Sequence, residues 1–270
     1  MNKTLTPLRI ATWNINSVRL REQTVLRFLD ENGPDVLCLQ ETKSPDAAFP
    51  HDGFEAAGYV HRHVRGEKGY NGVAILSRVP LEPLAHRDFC GREDCRHIAA
   101  QVGGVSVHNF YVPAGGDVPD REKNDKFGHK LDFLTGMRDW FGAGGDAPAG
   151  PSILVGDLNI APQEHDVWSH KQLLKVVSHT PVEVEALEAV RASRDWVDSA
   201  RAFTPSEEKL YSWWSYRAKD WDGADKGRRL DHIWVTPDLR DALRSCETFR
   251  AVRGWEKPSD HAPVMVTLEV

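Results

Sequence analysis

Ile153-Leu154-Val155-Gly156-Asp157-Leu158-Asn159 sets three aliphatic residues directly before a glycine, a carboxylate and an amide. The aliphatic run reads as a buried strand. The glycine lets the backbone turn sharply, so that Asp157 and Asn159 project together from the strand's end. Such a pair offers one group that can take a proton or hold a metal and one that can donate hydrogen bonds to developing negative charge. Standing alone it would read first as an Asx turn after a core strand. The argument for chemistry comes from the recurrence of the same arrangement on both sides of it.

Upstream, Arg9–Asn14 reads as a strand ending in Asn14 and Asn16, and 20–31 as a helix carrying Leu20, Val25, Phe28 and Leu29, stopped by Gly33-Pro34. The strand Val36–Leu39 then runs into Gln40-Glu41-Thr42-Lys43. A strand, helix, strand unit with polar residues at the strand ends is how open α/β sheets build sites. After a loop rich in His, Gly and Arg, the segments 72–76, 97–102 and 105–111 read as strands, the last ending in Tyr111-Val112-Pro113. A glycine- and proline-rich loop follows, then a helix over 123–141 through Phe127, Leu131, Leu134 and Met137. Downstream, 161–200 is helical and polar, with Leu173, Leu174, Val184, Leu187 and Val190 as core candidates. The block Tyr211-Ser212-Trp213-Trp214-Ser215-Tyr216 fits a half-buried strand or a stacking surface. Leu230–Val235 is a strand with Asp231 near its start, and the strand 264–270 is preceded by Ser259-Asp260-His261-Ala262-Pro263. Strands ending in polar residues occur before position 115 and again after 150, a coarse halving that two packed sheets with outer helices would accommodate.

Composition narrows the class. Hydrophobic residues make up 40% of the 270 residues and nine are tryptophan, which suits a compact globular chain, and no break in composition argues against a single domain over 1–270. The net charge of −6 argues against a protein that coats nucleic acid non-specifically, though not against an enzyme that grips a few phosphates through clusters such as His61–Arg65 or Arg228-Arg229. Met1-Asn2-Lys3-Thr4 opens no apolar run of signal-peptide length and no later stretch approaches a membrane span, so no membrane role, a cytoplasmic setting and a monomer are the expectations. Cys38, Cys90, Cys95 and Cys246 lack zinc-like spacing and are expected reduced.

Six strand ends or adjoining loops thus carry Asn14, Glu41, Tyr111, Asp157 with Asn159, Asp231, and Asp260 with His261. These are hard oxygen ligands of the kind Mg²⁺ takes, without the nitrogen- or sulfur-rich set of catalytic zinc. Asp231 and His261 would also serve a serine hydrolase, but no Gly-x-Ser-x-Gly elbow is present.

At this point the chain resembles the exonuclease III family of the endonuclease/exonuclease/phosphatase superfamily. The matching motifs are Trp13-Asn14-Ile15-Asn16, Gln40-Glu41-Thr42-Lys43, Tyr111-Val112-Pro113, Gly156–Pro162, Trp213-Trp214-Ser215-Tyr216-Arg217, Arg229-Leu230-Asp231 and Ser259–Pro263, in the family's order over nearly the whole chain. The resemblance implies a four-layer α/β sandwich, two mixed sheets face to face with helices outside. It implies a Mg²⁺-dependent phosphodiesterase, Mn²⁺ substituting, that acts on double-stranded DNA. Such an enzyme cuts 5′ to abasic sites and clears nucleotides or blocking phosphates from 3′ ends. By motif match Glu41 is the principal metal ligand, assisted by Asn14 and Asp260, with Asp157, Asn159 and His261 adjoining the metal. Asp157 would deprotonate the attacking water, Asn159 would support it, and Tyr111 and His261, the latter held by Asp231, would bind the attacked phosphate. Asn16, Arg19, Lys43, Trp213, Trp214, Arg228 and Leu230 would contact substrate, with Trp213 and Leu230 lining the pocket for an abasic sugar.

The chain departs from that pattern at Ala114, where many relatives have a polar residue, and at Arg228, where relatives have an apolar one. Superfamily enzymes that act on inositol phosphates or phospholipid headgroups share the same polar core. The aromatic block and Gln-Glu-Thr-Lys favour the nucleases.

Overall fold

A parallel pair of strands lies inside each of two sheets, and a helix spans each pair. In the computed structural model, which describes residues 7–270, β1 (Pro7–Asn14) and β2 (Val36–Gln40) are parallel and joined through α1 (Val18–Asn32). The reading of Met1 to Thr4 falls outside the described residues. In the second sheet β7 (Val105–Tyr111) and β8 (Ser152–Asp157) are parallel and joined through α3 (Asp125–Phe141). The other main strands are β3 (His61–Arg65), β4 (Val73–Ser77), β5 (Leu81–Leu84), β6 (His97–Val102), β9 (Val197–Asp198), β12 (Asp231–Val235), β13 (Leu243–Thr248) and β14 (Val264–Glu269). They complete two six-stranded sheets ordered β13-β14-β1-β2-β4-β3 and β5-β6-β7-β8-β12-β9. Two-residue strands β10 (Trp213–Trp214) and β11 (Gly227–Arg228) pair separately. The remaining helices are α2 (His51–Ala56), α4 (His170–Leu173), α5 (Pro181–Ala192) and α6 (Trp221–Ala224).

The central strands are apolar on both faces, so the sheets must be covered twice. Ile10, Val36, Ile75, Val107, Val155 and Ile233 fill the space between the sheets. Trp13, Leu37, Leu39 and Leu76 pack outward against Val25, Phe28 and Leu29 of α1. Leu154 and Trp234 pack outward against Phe133, Leu134 and Met137 of α3 and Leu187 and Val190 of α5. The result is the four-layer α/β sandwich expected from the resemblance. Among the described residues no helix is long and apolar enough to cross a membrane, and all four cysteines are free.

The boundaries differ from the sequence expectation in ways that have causes. Leu20, expected in the core, is 60% exposed. It sits about 200° round the helix from Val18, which is buried, since an α-helix turns about 100° per residue. Strands β3, β5 and β13 were not expected, and all are edge strands or next to nothing beyond them, with charged or half-exposed residues that hide the period-two pattern. Within His61–Arg65, Arg65 pairs with Asp88 and Arg62 with Glu55. Of the aromatic block only Trp213 and Trp214 are strand. The helical reading of 161–200 resolves into α4, α5, connecting turns and the edge strand β9, with Leu173, Leu187 and Val190 buried but Leu174 and Val184, also expected in the core, only half-buried.

Candidate active site

All four parallel strands point their carboxyl ends to one edge of the sandwich, where open α/β sheets place their ligands. Asn14 ends β1, Glu41 follows β2, Tyr111 ends β7 and Asp157 ends β8. Asp231 opens β12, which runs antiparallel to β8 with Asp231 opposite Asp157. The Ser259–Pro263 loop enters β14 at the same edge, because β14 is antiparallel to β1.

Glu41 lies in the left-handed region (φ 50°), as does Lys43 (φ 49°). That turn is pinned by backbone bonds from Ser17 N–H to Glu41 O at 2.7 Å and from Thr42 N–H to Gly72 O at 3.1 Å. The Glu41 carboxylate accepts from Asn14 Nδ2 at 3.0 Å and Tyr111 OH at 2.7 Å, and Lys43 Nζ lies 2.8 Å from Oε2. Burial works against ionisation, but Lys43, Asn14 and Tyr111 together outweigh it and hold the carboxyl below its usual range. Burial and the neighbouring Glu41 and Asp157 push the Tyr111 phenol well up, so it stays a donor. Behind the site, Gln40 Nε2 donates to Asn109 Oδ1 at 2.7 Å, and Asn109 Nδ2 donates to the Leu39 and Ala74 carbonyls at 3.0 and 2.9 Å. This buried bridge joins the two sheets where Glu41 must meet Tyr111.

Gly156 explains the second half of the site. Its φ is 140°, and a Cβ there would sit 1.9 Å from the Phe110 carbonyl oxygen, so the approach of β8 to β7 needs glycine. Asp157 Oδ1 accepts the Asn159 N–H at 2.9 Å, while Oδ2 accepts from Asn14 Nδ2 at 2.8 Å and Asn159 Nδ2 at 3.2 Å. His261 Nδ1 is 2.8 Å from Asp231 Oδ2, and its Nε2 faces Asp157 Oδ2 at 3.8 Å. Ser212 Oγ donates to Asp231 Oδ2 at 2.6 Å and accepts the N–H groups of Leu230 and Asp231, both at 3.0 Å. Burial raises the Asp157 carboxyl, as a buried carboxylate should. For His261 burial acts downward, but Asp231 and Asp157 prevail and the imidazole is raised, hence charged at neutral pH.

These groups open on a cleft of about 710 Å³ lined by Glu41, Tyr111, Asp157, Asn159, Asp260 and His261 at one end and by Trp168, Val177, Trp213, Arg228 and Leu230 at the other. Asp260 receives Trp213 Nε1 at 3.0 Å and Asn16 Nδ2 at 3.3 Å; Asn16 Oδ1 in turn accepts from Lys43 at 2.6 Å. Six of the residues singled out in the sequence do not line the cleft: Asn14, Asn16 and Lys43, which adjoin Glu41 or Asp260 through the bonds just given, and Asp231, Arg19 and Trp214. Asp231 lies behind His261, Arg19 is exposed on the first turn of α1, and Trp214 is buried with its indole N–H on Asp225 at 3.1 Å. Trp214 is thus core, because the two-residue strand turns alternate rings to opposite faces. Arg228 lines the cleft but is already engaged. Its guanidinium donates to Val177 O at 3.1 Å and Ser178 Oγ at 2.7 Å and stacks over Trp213. Sequence reading missed Trp168, Lys226 and Ser212, and quoted Arg217 in a motif without giving it a role. Of these, Trp168, in the polar stretch after Asn159, and Ser212, inside the aromatic block, carried a local signal, and Lys226 carried none.

A hard divalent cation fits this donor set. Glu41 is held ionised, Asn14 Nδ2 links it to Asp157, Asp260 lines the same cleft, and the present countercharge is Lys43. Ligand atoms of Asp157, Asp231 and His261 also fall within 4.8 Å of one another. There Nδ1 is taken by Asp231, so the ring's free nitrogen is Nε2, which faces Asp157.

A profile of the endonuclease/exonuclease/phosphatase family matches residues 11–261. The chain is 30% identical to exodeoxyribonuclease III of Haemophilus influenzae over 95% of this chain and 98% of that protein. It is 29% identical to an exodeoxyribonuclease of Bacillus subtilis, covering 97% and 100%. Among solved structures, an AP endonuclease of Archaeoglobus fulgidus superposes with a TM-score of 0.90 at 33% identity, covering 97% of this chain and 100% of that one. The 3′-5′ exonuclease NExo of Neisseria meningitidis gives 0.87 at 32% identity, with 97% and 100% covered. Profile, identity and superposition agree with the geometry: the chain belongs to the endonuclease/exonuclease/phosphatase family, within its exonuclease III branch of metal-dependent DNA-repair nucleases.

Proposed function

We propose that this nuclease is a Mg²⁺-dependent phosphodiesterase of double-stranded DNA that incises 5′ to abasic sites and removes nucleotides or phosphate groups from 3′ ends, with Mn²⁺ as a substitute cation. The observation that carries the reading is the joining, in one cleft, of the Glu41–Tyr111 and Asp157–His261–Asp231 groups with a wall formed by Trp213 and Leu230. An abasic sugar turns out of the helix at lower cost than an intact nucleotide, and a small apolar recess admits it while excluding a base. The relatives' names point the same way, and one related structure is a Neisseria 3′ phosphatase bound to a product DNA hairpin.

In this reading Asp157 takes a proton from the attacking water as its oxygen bonds to phosphorus, and the bond from phosphorus to O3′ breaks. Asn159, which donates to Asp157 Oδ2, orients that carboxylate and supports the water. His261, charged and fixed by Asp231, donates from Nε2 to a non-bridging oxygen, and the Tyr111 O–H turns from Glu41 to donate beside it. Glu41, Asn14 and Asp260 would hold a divalent cation, which when bound would supply positive charge against the phosphate. The same reading takes the chain as one domain acting as a monomer in the cytoplasm, with Asn16, Lys43 and Arg19 disposed towards the DNA.

Duplex DNA bearing one abasic analogue, an intact duplex, a single strand and a duplex with a 3′-phosphate, each with Mg²⁺, Mn²⁺ or chelator, provide the test. Cation-dependent cleavage at the abasic position and release of the 3′-phosphate are expected. Cleavage indifferent to chelator, or hydrolysis of inositol phosphates in preference to DNA, would overturn the reading.

A further inference from the structure

Lys130, on α3, has no exposed side-chain surface, and neither has its partner Glu183 on α5. A buried ion pair is a poor source of stability, because the desolvation of both charges offsets their attraction. The pair's geometry suggests a different use. Beyond Glu183, the Lys130 ammonium donates to the carbonyl oxygens of Asn159 at 2.9 Å and of Ala114 at 3.3 Å, so its three protons reach three separate segments. Glu183 is filled in turn by Ser178 N–H at 2.9 and 3.0 Å, Thr180 N–H at 3.2 Å and Thr180 Oγ1 at 2.6 Å.

The two carbonyls belong to the loops that carry the site. Asn159 sits in the left-handed region (φ 55°), and its peptide is gripped at the N–H by Asp157 and at the carbonyl by Lys130. Ala114 follows Tyr111-Val112-Pro113, and the Asn159 side chain donates to Val112 O at 2.9 Å. The loop packs directly on the lysine: a Cβ at Gly115 would meet Lys130 Cδ at 2.9 Å. On the other side Ser178, which donates its N–H to Glu183, receives Arg228 from the cleft wall. The capping of α5 needs only Glu183 and Thr180, so the lysine is left with no local task except the two loop carbonyls.

We propose that Lys130 is a positioning residue of the nuclease, its ammonium holding the Asn159 and Ala114 peptides in register so that Asn159 and Asp157 meet Tyr111 across the cleft. This rests on the roles proposed above for those residues. Displacement of a reacting group by about 1 Å can cost about 10²-fold in rate, and a clamp on the backbone of Asn159 acts on that scale.

Two variants, assayed with full-length protein on abasic duplex DNA and Mg²⁺, separate positioning from stability. Glu183→Gln keeps the lysine's bonds to both carbonyls while weakening the cap, and should lower Tm yet keep kcat within about threefold. Lys130→Met/Glu183→Gln removes both charges and leaves the carbonyls without their donor. It should fold, and lose about 10- to 100-fold in kcat with KM little changed. If it does not fold, Lys130→Gln/Glu183→Gln, which keeps a polar pair of shorter reach, takes its place with the same expected loss. A folded double variant whose kcat matches Glu183→Gln, or a loss confined to KM, would overturn the proposal. An inactive wild-type protein would instead overturn the proposed function.

Discussion

The phenol of Tyr111 donates to Oε1 of Glu41 at 2.7 Å, and so ties the end of a strand in one sheet to the end of a strand in the other. A hydrogen bond to a charged group is worth about 1.5–3 kcal/mol, so Tyr111→Phe should loosen the carboxylate and also remove the single O–H that would turn to the phosphate when substrate binds. The half-saturating Mg²⁺ concentration is expected to rise about tenfold alongside a fall in kcat. A Mg²⁺ titration that superposes on wild type would show the contact to be incidental to cation binding.

Asp157→Asn keeps the side chain's size but removes the group that accepts the water's proton. Turnover should drop about 10²–10⁴-fold, the usual worth of general-base help, with circular dichroism and Tm close to wild type. Activity within a few-fold of wild type would assign the proton transfer elsewhere.

Asn109→Leu removes the Gln40 bridge and strands the Leu39 and Ala74 carbonyls in the space between the sheets. Each unsatisfied buried polar group costs about 1–3 kcal/mol, so urea unfolding should show a loss of about 3 kcal/mol or more. A loss below about 1 kcal/mol would mean that the sheets are held by apolar packing alone.

Arg228→Ala should leave the salt dependence of duplex binding unchanged, because its guanidinium is committed to Val177, Ser178 and the Trp213 ring. A phosphate contact, by contrast, would lower the slope of log K against log salt by about one unit. The expected effect is on cleavage at abasic positions, through the altered wall beside Trp213. A shallower slope would return Arg228 to the DNA interface.

Burial also makes an acid-sensitive fold. His232 is pushed down to about 4 and His108 to about 3, and His97 lies well below its usual value, all first through burial. In the unfolded chain each titrates near 6.5. Their contribution is therefore fully present above about pH 6.5 and is lost as pH falls towards 4, because the unfolded state takes up the protons. Each should contribute about 1.4 kcal/mol of loss per pH unit below 6.5. Urea unfolding at pH 7.5 and 5.5 measures this, and His232→Gln, which can still donate to Ile160 O, should lessen the difference by about that amount. No lessening would place the acid sensitivity in other groups.

The site's chemistry was largely local in the sequence. Gly156 before Asp157, and Glu41 and Tyr111 at the ends of apolar runs, could be found because a strand that enters a core and stops at a polar residue leaves a period and a break that read directly from residue order. The two long helices and the central strands were legible for the same reason. The edge strands His61–Arg65, Leu81–Leu84 and Leu243–Thr248 were not, since a strand with one free side and charged residues lacks that alternation.

What residue order by itself determined was which polar groups end the apolar strands and the layers that carry them. What only the tertiary structure decided was how those groups are spent. Arg228 looked free for DNA but is bound to the 177–178 turn, and Trp214 looked like a stacking surface but is core. His261 emerges charged between two carboxylates, and Lys130, an unremarked helix residue, lies beneath Asn159. Hydrogen bonds and burial between residues tens to hundreds of positions apart fix the charge and orientation of each group, and neither quantity is encoded in any local stretch of the chain.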